Sequence, residues 1–357
     1  MKAKSQTELW ARLLAADFVK GDLPMAKSIP WFIRTMLGIG GWIGALFIMG
    51  FIFGLFPEVE RNILLATVMA TACCLGAGAI YFVAPDSIFA SQFALAIGLT
   101  GQVLFCMAIF RLFNPQEFWG YFYLFCLEIV LTLFMFNFTQ RIFTTLAVVA
   151  ALFLGFAQAG LHELALPVVV TGCALVWRGE QRLAGWGGLW QPVGYGLALG
   201  ALFCAATLRF GEELLGWIQR GGGGWLPGHG EVIGSVLIGG VFLAVTVDIL
   251  RKLNLDPFAR GGLVVLLCTL MILGATFPAH GLATALLILV LGVAGGNRII
   301  FAFGLLALAA FLSFYYYQMK ETLLFKSLVL SETGTLLLAI RWGLGKLFPA
   351  SKEASNA

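Results

Sequence analysis

Twelve apolar runs, separated by charges, prolines and polar turns, constrain this chain more than any other feature. They are Met36–Phe56, Asn62–Ala84, Ile88–Phe110, Phe118–Phe138, Ile142–Ala159, Leu161–Trp177, Val193–Leu208, Val232–Leu250, Leu263–Phe277, Leu282–Ala294, Ile299–Tyr317 and Leu323–Leu344. An α-helix rises about 1.5 Å per residue, so roughly 20 apolar residues cross the hydrocarbon core of a bilayer. Lipid offers no partner to backbone N–H and C=O groups, so such segments persist as helices that satisfy their own backbones. A soluble reading fails on charge. Only 11% of the residues are charged and 60% are apolar, whereas a water-facing surface takes about a quarter charged. Mean hydropathy is +0.94. The expected fold is all-α: a polytopic integral membrane helix bundle of 12 transmembrane helices. The ninth and tenth runs are short and joined by Pro278-Ala279-His280-Gly281. They read as a re-entrant pair or as two thin-bilayer helices.

Three regions follow. Residues 1–30 form a cytoplasmic amphipathic segment, 31–345 the transmembrane domain and 346–357 a short polar tail. In the first, Ser5 and Glu8 fit a capping box, and Leu9, Trp10, Leu13, Leu14 and Phe18 recur at helical spacing before Gly21 and Pro24. A helix lying on the membrane face is expected there, or a docking handle for a partner. The segment is too polar for a secretory signal, so the first membrane helix serves for insertion. Alternate sides of the twelve crossings carry sixteen and six of the 22 Lys and Arg residues. Positive residues stay in the cytoplasm, which places both termini inside. The one long loop, Arg209–Glu231, contains Gly221-Gly222-Gly223-Gly224 and falls outside.

Several kinds of chemistry are not expected. The net charge of +4 is spread over helix ends, which argues against nucleic-acid binding. All seven cysteines lie in apolar runs, as small hydrophobes rather than disulfide or zinc ligands. His162-Glu163 begins like a zinc-protease motif, but position 166 is Leu where a second ligand is required. No nucleophile elbow, phosphate loop or triad is apparent, so neither enzymatic activity nor a metal or cofactor is expected. The glycines of Gly38–Gly44 follow no strand and lie in a helix. Pairs spaced by four, Gly40/Gly44, Gly50/Gly54, Gly196/Gly200 and Gly292/Gly296, suit close helix packing.

The informative residues are polar groups within the membrane, where a charge at the bilayer centre costs roughly 2.5–3.5 kcal/mol. Glu128 sits midway along its run, where apolar surroundings favour the neutral carboxyl. It reads as an interhelical hydrogen-bonding group or as a proton or cation site facing a cavity. Glu332 lies at similar depth in the last run, which permits a shared proton without placing the two helices side by side. Lys326 is near the outer edge and reads as snorkelling to the headgroups, or as a salt-bridge partner of either Glu. Gln102 lines a path or bridges two helices. Asp248, three and four residues before Arg251 and Lys252, reads as a local ion pair. Asn297-Arg298 marks an inner turn and allows contact with anionic lipid.

Pro30-Trp31-Phe32, Gly40-Gly41-Trp42, Tyr315-Tyr316-Tyr317, Leu323-Leu324-Phe325-Lys326-Ser327, Gly334 and Arg341 resemble a family of bacterial multi-pass membrane proteins. That family is labelled only as a domain of unknown function. The resemblance implies a bacterial inner-membrane location. It also implies a partner, the small membrane protein named for its GDYXXLXY motif that is encoded beside similar proteins. It supplies no activity or catalytic residue. At Glu332 the family pattern has an apolar or small residue, which weakens any shared role for that carboxyl. Two functions follow: a proton-coupled secondary transporter working through Glu128, Glu332, Lys326 and Gln102, or a non-catalytic scaffold for the small partner.

Overall fold

Asparagine and glycine set the ends of the helices. Asn62, Asn137 and Asn297 each accept two backbone N–H groups with Oδ1, and Ser87 accepts one with Oγ, which satisfies donors that a first helical turn leaves free. Gly160, Asn254 and Gly296, at φ of 71°, 57° and 64°, end three helices in the left-handed conformation. Around each, paired backbone bonds such as Asn297 N to Gly292 O and Gly296 N to Val293 O close a Schellman motif.

The computed structural model describes residues 31–85, 87–114, 117–179, 184–210, 230–276 and 280–318, with Trp10, Leu14, Ala15 and single helical positions at 324, 327, 331, 335 and 338. Among the described residues there are helices and no strands. They are α1 (Trp31–Leu55), α2 (Ile63–Val83), α3 (Ile88–Leu112), α4 (Phe118–Phe134), α5 (Phe138–Gln158), α6 (His162–Arg178), α7 (Gly187–Phe210), α8 (Gly230–Lys252), α9 (Arg260–Thr276), α10 (His280–Ala294) and α11 (Arg298–Gln318). Eleven of the twelve expected runs thus correspond to helices. Six, within α2, α3, α5, α7, α8 and α11, are long and apolar enough to cross a membrane. The chain is therefore built as a membrane-embedded helical protein. α9 and α10 have 17 and 15 residues, short as anticipated. The amphipathic start beyond positions 10, 14 and 15, most of loop 209–231, and the last run apart from five positions lie outside the described residues.

Neighbouring helices run antiparallel. The end of α2 and the starts of α3, α5 and α7 meet through Tyr81–Gln140, Asn137–Ser91 and Arg141–Gly188 hydrogen bonds, the end of α4 joins them through Arg141 Nε to Thr132 O, and the end of α6 meets the start of α7 through Trp177 Nε1 to Gly194 O. At the opposite end, Tyr121 of α4 stacks edge-on against Phe110 of α3, with centroids 4.9 Å apart. Two packed groups result. One core joins α1, α2 and α3, extended by α4. The larger joins α5, α6, α7, α8, α10 and α11. α5 connects them, packing on both α4 and α7.

Small residues set the spacing. The buried faces of α2 (Ala66, Ala70, Cys74, Ala77) and α3 (Ala94, Gly98, Gly101, Ala108) let the two backbones approach. A Cβ at Gly101 would lie 2.9 Å from Ala70 O. Of the four glycine pairs, Gly196/Gly200 packs as expected, with Thr145 and Val149 of α5 against it. Gly292 also lies against a neighbour, the backbone of Phe301, but Gly296 is a turn residue. Gly44 makes ordinary contact with Phe93. Gly40, Gly50 and Gly54 have nothing within 4 Å among the described residues.

Candidate functional site

The fourth expected helix stops early. Asn137 caps the following helix, so α4 ends at Phe134 and Phe138 belongs to α5. Glu128 is therefore ten residues from the start of α4 and six from its end, rather than midway. It faces the interior. Glu128 is 2% exposed, whereas Ile129 and Val130 are 36% and 59% exposed to what surrounds the bundle.

Glu128 lies near a polar seam in the packing of α2 to α5. Gln102 is buried on α3, ten residues before its end at Leu112, and Glu128 is ten residues after the start of α4 at Phe118. The short connection between these antiparallel helices puts both side chains about 15 Å from the turn, at equal depth. Cys106, one turn beyond Gln102, and Cys74 of α2 are within electrostatic reach of Glu128. Gly98, one turn before Gln102 on the same face, receives the Gln140 amide of α5. A Cβ at Gly98 would lie 3.0 Å from both its Oε1 and its Nε2. Gln140 is fully covered, and Tyr81 of α2 donates its hydroxyl to Gln140 Oε1 at 3.3 Å.

Three buried atoms here have no hydrogen-bond partner among the described residues: Glu128 Oε2, Gln102 Nε2 and Gln140 Nε2. Leaving such an atom unpaired costs about 1–3 kcal/mol. The set is chemically matched. An amide N–H suits a carboxylate, and an amide carbonyl suits a carboxylic acid. Amide groups in the same helix packing offer a partner type for either protonation state of a carboxyl.

Arg141 closes the end of this seam where α4 stops and α5 starts. Sequence alone counts it as an orientation signal, yet it is buried. Nε donates to Thr132 O at 3.3 Å and Nη1 to Gly188 O at 2.5 Å, with the guanidinium 5.7 Å from the Phe136 ring centre. Thr132 O lies in the last turn of α4, where carbonyls lack helical partners and the dipole favours a cation. Arg141 therefore ties α4 to the start of α7.

Among the other expected site residues, Glu332 and Lys326 lie outside the described residues. Asp248 does pair with Lys252, at 3.5 Å, but its shorter bond is to Arg178 of α6, at 3.0 Å. Gln140, Arg141 and Tyr81 are absent from the sequence-derived set. The signal for the first two was Asn137, whose capping role moves Gln140 and Arg141 from a presumed turn into a helix. Nothing in the sequence marks Tyr81.

No curated protein and no solved structure matches the chain. One family profile, described as a domain of unknown function (DUF4401), matches residues 30–347. Its span covers all eleven helices and nearly the whole chain, including the seam at Gln102, Glu128 and Gln140. The chain therefore belongs to the DUF4401 family.

Proposed function

We propose that this chain is a proton-coupled secondary carrier of the bacterial inner membrane, not an enzyme, with twelve crossings and both termini in the cytoplasm. Glu128 is the proton-exchanging group, and Gln102 and Gln140 are the polar groups that share its helix packing. One observation carries this reading: a buried carboxyl and two amides in the same helix packing, each with an unpaired atom. Packing alone gives no reason to retain three such groups, and intramembrane carboxyls commonly mark proton paths. The orientation follows from the sixteen-to-six division of Lys and Arg.

The test is Glu128→Gln in proteoliposomes. It replaces one carboxyl oxygen with nitrogen and cannot exchange a proton. Infrared difference spectra of the reconstituted protein under a pH jump should show a protonated-carboxyl band that Glu128→Gln removes. Proton uptake, followed with a trapped pH-sensitive dye, should fall to the empty-vesicle level. An unchanged band and unchanged uptake in a folded variant would refute the assignment.

The alternative is a scaffold for the small GDYXXLXY protein. Supporting it, Gly40, Gly50 and Gly54 of α1 form a small-residue face with nothing within 4 Å among the described residues. Such a face suits a helix from a second protein. Pull-down from native membrane tests this directly, and recovery of the chain alone would count against it.

A further inference from the structure

The ends of α6, α8 and α10 line a half-open cavity of about 570 Å³ to which no residue of the polar seam contributes. Its walls are two-natured. Val245, Ile249, Val290 and Val293 supply apolar surface, and Arg178, Asp248 and Lys252 line the same space. The volume lies within the roughly 300–1,000 Å³ range of sites for organic ligands, and is far larger than a free phosphate requires.

The charges do not cancel. Asp248 Oδ1 pairs with Arg178 Nη2 at 3.0 Å and Oδ2 lies 3.5 Å from Lys252 Nζ, so among the described residues one carboxylate faces two cations. Three helix C-termini converge here, and their negative ends would oppose an anion. Several of those carbonyls are already engaged, which offsets part of that opposition. α8 closes in a Schellman motif at Asn254 and α10 in another at Gly296, while Lys252 Nζ donates to Arg178 O at 3.3 Å. The side-chain excess of one positive charge therefore stands. The guanidinium has five N–H donors in a planar fork, more than the Asp248 carboxylate takes. Phosphate diesters accept from such forks. The cavity lies at the ends of membrane helices, where headgroups reside, and basic clefts between helices at that level are suited to acidic lipids.

We propose that this cavity is a binding site for an anionic glycerophospholipid. Its phosphate is held by Arg178 and Lys252, and an acyl chain lies along Val245, Ile249, Val290 and Val293.

The full chain, purified in a neutral detergent, is given equal amounts of phosphatidylglycerol and phosphatidylcholine, and bound lipid is read by native mass spectrometry. Phosphatidylglycerol should be retained preferentially. Each cation near an acidic surface is worth about 1 kcal/mol, so Lys252→Gln should lower that retention about five-fold. Arg178→Gln with Asp248→Asn removes the paired charges together and should lower it further. Val293→Trp narrows the apolar side at a surface position, leaves every charge in place, and should also reduce retention. Equal binding of phosphatidylcholine would overturn the proposal. So would displacement by millimolar inorganic phosphate as complete as by short-chain phosphatidylglycerol, since the site would then take free phosphate. Retention unaffected by Lys252→Gln and by Val293→Trp, in variants that melt like the parent chain, would overturn it as well.

Discussion

The same substitution, glycine to alanine, should act in opposite directions at two helical positions. On α7, a Cβ at Gly196 would lie 2.6 Å from Thr145 Cβ, 2.8 Å from its Cγ2 and 3.1 Å from Ile142 O. These atoms cannot retreat easily: one is backbone, and threonine is branched at Cβ and stiff about χ1. The helices must separate or shift, and overpacking of this kind costs about 1–3 kcal/mol. On α1, a Cβ at Gly50 meets nothing within 4 Å among the described residues. There alanine contributes its better helix propensity, up to about 1 kcal/mol. That propensity gain applies at Gly196 too and offsets part of the clash. The two variants should therefore differ by about 1–3 kcal/mol, the size of the clash alone. At 1.4 kcal/mol per decade this is roughly a 5- to 150-fold difference in the unfolded-to-folded ratio. Equilibrium unfolding in mixed micelles, titrated with a denaturing detergent and followed by helical circular dichroism, reads that difference. Gly200→Ala, whose Cβ would lie 2.8 Å from Val149 Cγ2, should side with Gly196→Ala. If Gly196→Ala and Gly50→Ala unfold together, α5 and α7 do not approach closely at Gly196.

Removing the guanidinium with Arg141→Met frees the Thr132 and Gly188 carbonyls and should destabilise the protein by about 3 kcal/mol, since hydrogen bonds to charged groups contribute roughly 1.5–3 kcal/mol each. The same detergent titration measures it, and Arg141→Lys should recover only part, because a single ammonium cannot reproduce the fork. Asn137→Ala removes the bonds to Thr139 N and Gln140 N and should cost about 1 kcal/mol, with faster amide exchange confined to the first turn of α5. Uniform exchange changes across the chain would count against that local role.

Most of the architecture was legible because lipid simplifies the problem. A segment without charge and near 20 residues long has one way to satisfy its backbone, so eleven of the runs can be read as helices from composition and length. The short ninth and tenth runs were visible for the same reason. Helix ends were less legible. Hydropathy continues through Met135, Phe136 and Phe138, and only the capping side chain of Asn137 reveals that α4 has stopped. With that boundary placed by hydropathy at Phe138, Gln140 and Arg141 look like turn residues rather than the first turn of α5. Glu128 and Gln102 could be found by polarity alone, since a polar group within an apolar helix is conspicuous wherever it points.

The sequence by itself determined that the chain enters a membrane, which segments become helices, and that Glu128 and Gln102 are anomalous within them. Those properties belong to single segments and their solvent. Tertiary packing decided which helices touch, and so which residues meet. It brought Gln140 against Gly98, turned Glu128 away from the exposed Ile129 and Val130, and set Arg178 rather than Arg251 beside Asp248. Between helices in lipid, contact depends on the fit of small and large surfaces rather than on hydrophobicity. That fit is a property of pairs of faces far apart in the chain, and hydropathy along one segment does not contain it.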